Sequence, residues 1–510
     1  MARLTIDGSA IEVADGTSLF DACRLARGES LPHFCYHPDL SIAGVCRLCQ
    51  VEVEGMPKLT IACNTTVREG MVVHTRSERV RKASQQILEM HLINHPVDCP
   101  ICDQAGECGL QNQYMAYGLY DSQVAESDKV NKAKALVIGP HVVLDKERCV
   151  LCSRCVRFCN EVTKTGELGI FNRGDRAEIG VAPGRELDNA YSVNTVDICP
   201  VGALTSRDFR FQKRVWMLKS TDSICPGCAT GCNVRVDHEA GRIYRLKPRR
   251  NPAVNGSWMC DEGRLTYKDV HAEDRLLEPL WNGRVVSWAD ARGHLAHVVA
   301  GGFALVIGSA HQSLEEMWLL RQLAGTAALS GGLAGSDLAV GDDILRSADR
   351  TPNRRGLALA GLAEHDAAAL AGLVRAARGA ILVHGGDPAA APDVAAAMAG
   401  RQDVVYVGTH RRATAAAAAL ALPGAMWAEK AGIFVNRQDR LQAFAQAVAR
   451  PGNAREDWRV LGEMLPDQGR APTGLKALRA GVAADLAPAL APTIDLDRLP
   501  QGGVPAGGDA

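Results

Sequence analysis

No cysteine follows Cys260 in this chain of 510 residues, whereas 17 stand at or before it. Two chemistries therefore share one polypeptide. An excess of one charge is also missing: 57 Lys and Arg face 58 Asp and Glu, a net of -1, which leaves no broad field for nucleic acid or an anionic membrane. Aromatic residues are scarce at 5%, so the stacking platforms of a single-strand binder are not expected either. The longest nearly apolar run, 413–428, is Ala-rich and broken at Pro423, short of the roughly 18 residues that a membrane helix needs. The opening "MARLTIDGSAIEVADG" has neither a basic n-region nor an apolar h-region, and no secretory leader is expected. With no leader, the compartment is expected to be reducing, where clustered cysteines are metal ligands more often than disulfides. No G-x-G-x-x-G follows a strand-like run, and no P-loop or HExxH occurs. Any nicotinamide or flavin is thus expected on another chain.

What is present is organised in order. "RLTIDGSAIEV" gives two short strands about a turn at Asp7-Gly8, then a helix from about Thr17 to Arg27 that stops at Gly28. Residues 29–66 are loop-rich and cysteine-bearing, and "SERVRKASQQILEMHLINHP" reads as an amphipathic helix, with Val80, Ile87, Leu88 and His91 near one face and a stop at Pro96. Beyond about Arg275 strand and helix patterns alternate: "FALVIGSA" then "SLEEMWLLRQLAG", "GAILVHGG" then "PDVAAAMAG". That alternation predicts a parallel sheet covered by helices. The turns "VIGSAHQS" and "VHGGDPAAAP" read as ordinary glycine-containing connections. The ending "PALAPTIDLDRLPQGGVPAGGDA" is rich in Pro and Gly and is expected to be a disordered tail or a strap over a partner.

Four sets of donors stand out. Cys35, Cys46, Cys49 and Cys63 are spaced x10, x2 and x13, like a plant-type [2Fe-2S] loop except that the first interval there is x4. A zinc knuckle is the alternative. Cys99, Cys102 and Cys108, in "HPVDCPICDQAGECGLQ", need a fourth ligand, for which His91, His95 and Asp98 are candidates. Asp98 is a hard donor poorly suited to iron–sulfur chemistry. His91 lies in the apolar periodicity, and His95 sits free beside Pro96 as H-x3-C-x2-C-x5-C. Alone, this set favours structural zinc; its neighbours reverse the preference. Cys149, Cys152 and Cys155 form a C-x2-C-x2-C run completed by the remote Cys199-Pro200, with Cys159 a bystander. Cys225, Cys228, Cys232 and Cys260 follow as C-x2-C-x3-C-x27-C, a pattern that a zinc ribbon shares. Cys23, on the apolar face of the first helix, reads as a core thiol. Several such centres in one chain make sense as relays for single electrons.

In sequence, "GVCRLCQVEVEG", "HPVDCPICDQAGECGLQ", "CVLCSRCVRFCNEV", "VDICPVGALTSRDFRF" and "MCDEGR" resemble the family of large iron–sulfur subunits of respiratory NADH:quinone oxidoreductase, over residues 2–274. The resemblance implies α+β ferredoxin-like modules followed by a shortened α/β molybdopterin oxidoreductase-like domain. Its parts are a β-grasp [2Fe-2S] domain (1–78), a His/Cys3 [4Fe-4S] domain (79–140), a bacterial-ferredoxin-like [4Fe-4S] domain (141–217), a molybdopterin-oxidoreductase-type [4Fe-4S] domain (218–274), the α/β domain (275–450) and a partly disordered extension (451–510). It implies one [2Fe-2S] and three [4Fe-4S] clusters, with His95 as the odd ligand. It further implies NADH and FMN on a flavin subunit that has its own small [2Fe-2S] partner, and quinone-side iron–sulfur subunits. The expected setting is the cytoplasmic side of a bacterial inner membrane, with the membrane arm reached indirectly and no nucleic acid. Catalytic molybdopterin enzymes have Lys two residues after the last cluster cysteine, where this chain has Glu262, and no later cysteine could ligate molybdenum. No molybdenum is expected, and the α/β half reads as a scaffold. The equivalent subunit of an NAD-reducing hydrogenase or an NAD-dependent formate dehydrogenase is the alternative.

Overall fold

Asp7 and Gly8 take positive φ, 49° and 84°, and the two-residue turn they form folds Ala2–Ile6 back on Ser9–Val13. In the computed structural model, which describes residues 1–335, 338–465, 472–486, 488–492 and 494–507, this hairpin begins a five-stranded sheet. Its order is Ser9–Val13, Ala2–Ile6, Met71–His74, Gln50–Val53, Thr60–Ile61, with Ala2–Ile6 parallel to Met71–His74. The helix Leu19–Arg27 starts where Ser18 accepts the Asp21 N–H and stops at Gly28, φ 70°. It buries Leu19, Phe20, Ala22 and Cys23 against the sheet core. This is the expected β-grasp arrangement. Glu78–Leu92 is the second long helix, capped by Ser77 and burying Val80, Ser84 and Leu88. It ends four residues before Pro96, because the approach to a proline disfavours helical backbone.

The chain divides into two units, Met1–Leu218 and Lys219–Ala510. The first continues with the helix Gly109–Tyr117, a three-stranded sheet of Leu204–Ser206, Val142–Leu144 and Leu136–Val137, and the helix Arg154–Glu161.

The second unit opens on an antiparallel sheet, Lys219–Ile224, Asn233–Glu239 and Arg242–Pro248. A seven-stranded sheet follows, in which five strands run parallel: Ala328–Ser330, Phe303–Ile307, Ala380–His384, Val404–Gly408, Leu420–Pro423 in spatial order. Numbered along the chain that order is 2-1-3-4-5, a doubly wound arrangement with its switch between the first and third strands. Val306 packs into one core, Leu305 and Ile307 into another. Both faces are thus covered, which is why these strands read as continuous apolar runs.

The C-terminal segment differs from expectation over its described part. Leu475–Leu486 is helical, Val504–Pro505 adds an edge strand to Arg440–Phe444, and Leu490, Leu496 and Ala506 are buried in the unit's own core. Alternating apolar residues between the prolines let it strap this chain instead of a partner. Residues 466–471, 487, 493 and 508–510 of the expected extension (451–510) lie outside the described residues.

Under the sheet, Lys430 is 4% exposed and bonds Glu316 at 2.7 Å and Asp457 at 3.1 Å, while Asp457 also bonds His384 at 3.1 Å. Burial opposes the Lys430 charge, but Asp457 and Glu316 outweigh it and hold the lysine well above its ordinary pKa. Asp457 is held down against its own burial by Lys430 and His384. Its stabilising contribution is therefore complete above the unfolded pKa, about 3.9, and fades as pH falls below it. Lys430→Met strands two buried carboxyls and is expected to cost about 3–5 kcal/mol. Urea unfolding followed at the buried Trp458 checks this.

Candidate metal centres

The first set converges on a loop that left-handed residues shape. Gly44 and Arg47 have φ of 64° and 59°, which turns main-chain N–H groups inward around Cys46. Phe34 N–H donates to Cys46 Sγ at 3.3 Å. All four thiols are buried. Cys35 is held far below an ordinary thiol pKa because Cys46 and Cys63 donate to it, and Cys63 also lies in hydrogen-bonding contact with Cys49.

In the second set Cys99, Cys102 and Cys108 are electrostatic neighbours. Gln111 N–H donates to Cys108 Sγ at 3.5 Å, and a Cβ on Gly202 would overlap Cys102 Sγ. The three candidates for a fourth ligand have different engagements. Asp98 is gripped by Arg148 through Nε at 3.0 Å and Nη2 at 2.7 Å, with Lys134 beside it. His91 bonds the Cys46 carbonyl through Nε2 at 3.2 Å and packs edge-on against Phe34. The His95 ring accepts a local bond, Val97 N–H to Nδ1 at 3.0 Å, with Val97 at φ 50°, while its carbonyl accepts from Lys129 at 3.3 Å. Burial lowers the His95 pKa to about 4, so the ring is neutral, as a metal ligand must be. Its strongest charged neighbours are Asp98, Arg148, Lys129 and Lys134, not the three thiols.

The third set lines a cavity. Cys149, Cys152, Cys155 and Cys199 surround it together with Leu144, Ile179 and Val201. Leu151 and Ser153, at φ 50° and 62°, bend the C-x2-C-x2-C run, and Leu151 N–H donates to Cys149 Sγ at 3.4 Å. Burial pushes Cys149 up to about 12 and Cys152 to about 11. Cys159 lies outside this lining and is buried beside Glu167. Cys23 is likewise a buried thiol of the β-grasp core.

In the second unit, Cys225 directly follows the strand Lys219–Ile224, Cys232 directly precedes Asn233–Glu239, and Cys260 caps the turn Asp261–Arg264. Gly227 N–H donates to Cys225 Sγ at 3.5 Å and Gly263 N–H to Cys260 Sγ at 3.3 Å. A Cβ on Gly263 would sit 3.1 Å from one of these sulfurs and 3.2 Å from the other.

Every set thus pairs buried sulfur with main-chain N–H donors, and donors of that kind favour the thiolate. Among the described residues no three His, Cys, Asp or Glu side chains converge on a single ion. The soft donors, the apolar walls and the inward N–H groups all fit iron–sulfur clusters.

One further cavity escaped the reading of the sequence. About 700 Å³ in volume, it lies at the C-terminal ends of the parallel strands, walled by Gly308–Gln312 and Gly386–Pro388 from the two turns judged ordinary. Glycine turns carry no chemical label, so only the strand order could have marked it. A molybdopterin group suits it poorly, because each cationic wall residue is already matched: Arg350 by Glu262, Arg412 by Asp269 and Asp274, Lys430 by Glu316 and Asp457.

Families of known proteins match along the chain in order. Residues 1–78 match the 2Fe-2S iron-sulfur cluster binding domain and 85–123 the NADH-ubiquinone oxidoreductase-G iron-sulfur binding region. Residues 139–205 match the ferredoxin-like domain of NADH-quinone oxidoreductase subunit 3. The molybdopterin oxidoreductase Fe4S4 domain follows at 218–272 and molybdopterin oxidoreductase at 395–465. An NADH-quinone oxidoreductase subunit of Rickettsia felis is 40% identical over 331 residues, 63% of this chain and 49% of that protein. The mitochondrial NADH-ubiquinone oxidoreductase 78 kDa subunit of Candida albicans is 42% identical over 298 residues, 58% of this chain and 41% of that one. The chain spans about half the length of the curated relatives it matches, or less. A crystal structure of an NAD+-reducing [NiFe]-hydrogenase aligns at 30% identity with a TM-score of 0.38, over 42% of this chain and 91% of that one.

Gly202→Ala drives a methyl group into Cys102 Sγ. Iron retained per chain is expected to fall while far-UV circular dichroism holds, as iron assay and spectra of the anaerobically purified protein will show.

Proposed function

Since the chain is a homologue of iron–sulfur subunits of NADH:quinone oxidoreductase, we propose that it relays electrons in such a complex, holding one [2Fe-2S] and three [4Fe-4S] clusters. Bound clusters would supply one-electron transfer. The ligands are Cys35, Cys46, Cys49 and Cys63 for the first, and His95, Cys99, Cys102 and Cys108 for the second. Cys149, Cys152, Cys155 and Cys199 hold the third, and Cys225, Cys228, Cys232 and Cys260 the fourth. What supports the reading above all is the repetition of one device, buried sulfur under main-chain N–H groups, in each set.

The residues act by holding and tuning. Thiolates bind iron by giving up the protons that burial makes them keep, and N–H donors offset the charge that remains. The prior engagements of Asp98 and His91 support His95 as the fourth donor of the second set. The proposed partners are a flavin subunit that binds NADH, with its small [2Fe-2S] companion, and quinone-side iron–sulfur subunits. The proposed place is the cytoplasmic face of a bacterial inner membrane. No helix among the described residues is long and apolar enough to cross a membrane, which accords with a peripheral position.

Metal analysis after anaerobic purification is the test: about 14 iron atoms per chain are expected, and zinc in their place would sink the reading. Companions recovered with the tagged protein separate the alternatives, membrane subunits favouring the quinone reductase and a nickel subunit the hydrogenase.

Exchange of the neutral imidazole for a thiolate adds negative charge. His95→Cys is therefore expected to lower the second cluster's midpoint potential without removing it, and His91→Ala to leave its EPR signal in place. Loss of that signal in His91→Ala, with His95→Ala innocent, would move the assignment one helical turn.

A further inference from the structure

Arg154 lies between Cys152 and Cys155 in sequence and opens the helix Arg154–Glu161. Its side chain helps to line the cavity that Cys149, Cys152, Cys155 and Cys199 surround. The guanidinium reaches beyond that set: Nη1 donates to the Ile198 carbonyl at 3.0 Å, and Nη2 donates to the Tyr36 carbonyl. Ile198 precedes Cys199 and Tyr36 follows Cys35, so one side chain joins the loop of the first set to that of the third.

Among the described residues no carboxylate pairs with Arg154, and its Nε is buried without a hydrogen-bond partner. Two carbonyl oxygens accept hydrogen bonds but bring no countercharge. Taking an unpaired guanidinium out of water costs several kcal/mol unless negative charge lies close by. The side chain instead lies between the cysteine loops of the two sets, held to the residue before Cys199 and the residue after Cys35 and lining the cavity of the third set. The contrast with Arg148 in the same unit is direct, because Arg148 is neutralised by Asp98 and Asp145.

We propose that Arg154 is a positioning residue that serves as the shared countercharge of the first and third clusters and raises the reduction potential of both. A cluster gains one negative charge on reduction, so a fixed cation beside it stabilises the reduced form more than the oxidised one. The shared position links the two centres through the Arg154 guanidinium, beside which Arg157 donates to the Cys35 and Ser41 carbonyls. This inference rests on the cluster assignments proposed above.

Redox titration of the holoprotein, followed by EPR, tests it. Arg154→Gln is expected to shift the midpoints of the [2Fe-2S] cluster and of the Cys149-set cluster downward, while the His95-set cluster moves less. Unchanged midpoints with both signals present, or an equal shift in all three clusters, would overturn it. Arg154→Lys keeps the charge but cannot span both carbonyls. Potentials nearer the parent's than those of Arg154→Gln support charge as the agent, and a fall as large as that of Arg154→Gln overturns it. Where Arg154→Gln fails to load iron, Arg154→Lys is read against the parent: midpoints of both clusters that stay at the parent's values support charge as the agent, and a downward shift of both overturns it. Absence of iron–sulfur signals from the unaltered protein is a separate outcome that fails the cluster assignments, and this inference with them.

Discussion

A cysteine thiol buried among apolar side chains keeps its proton, and each ligand set depends on a backbone shaped to make losing that proton acceptable. Burial, helped by neighbouring thiols and carboxylates, raises Cys149, Cys152 and Cys260 to about 12, 11 and 11. Main-chain N–H groups aimed at sulfur work the other way, at Cys46, Cys108, Cys149, Cys225 and Cys260. Aiming them needs left-handed backbone where side chains resist it. Arg47, Val97, Leu151 and Ser153 all take positive φ inside or beside the ligand loops, and for a β-branched residue such as Val97 that is strained. Such strain persists only where surrounding structure insists on it.

In the first unit the insistence comes from a common core. Phe34, Leu48, Leu88, Leu110, Val150 and Val201 form one apolar cluster, and cysteines of all three sets pack into it or against it. The main chain makes the same connection: Gly109 N–H donates to the Pro200 carbonyl at 2.7 Å, so the residue after Cys108 is fixed to the residue after Cys199. Loops about ninety residues apart in sequence thus share their support. A change that loosens one set is transmitted through packing to the others, because interiors at crystal-like density do not yield locally.

The candidate sets were legible in the sequence, because thiol spacing is a local feature. The hairpin at Asp7-Gly8, the helix ending at Gly28 and the parallel sheet beyond Arg275 were equally plain, since turn chemistry and apolar runs report local backbone. What stayed hidden depends on contacts between distant residues. Whether His91, His95 or Asp98 is spoken for turns on Cys46, Val97 and Arg148, of which only Val97 is near in sequence. The closing segment misled for the same reason: its Pro and Gly content resembles that of a disordered tail, while Leu490, Leu496 and Ala506 find a core that composition cannot reveal.

Buried charge is matched within the chain at Arg148, Lys430 and Arg275, and Arg154 departs from that pattern. Lys430 brings its own anions, Glu316 and Asp457, and Arg275 meets Glu429 at 2.7 Å. Those networks are complete within the polypeptide and ask for nothing from outside, as befits a scaffold. Arg154 has carbonyls and sulfurs around it and no carboxylate among the described residues. A guanidinium in that condition is stabilised by negative charge on those sulfurs, and ligation to a metal would fix that charge by displacing their protons.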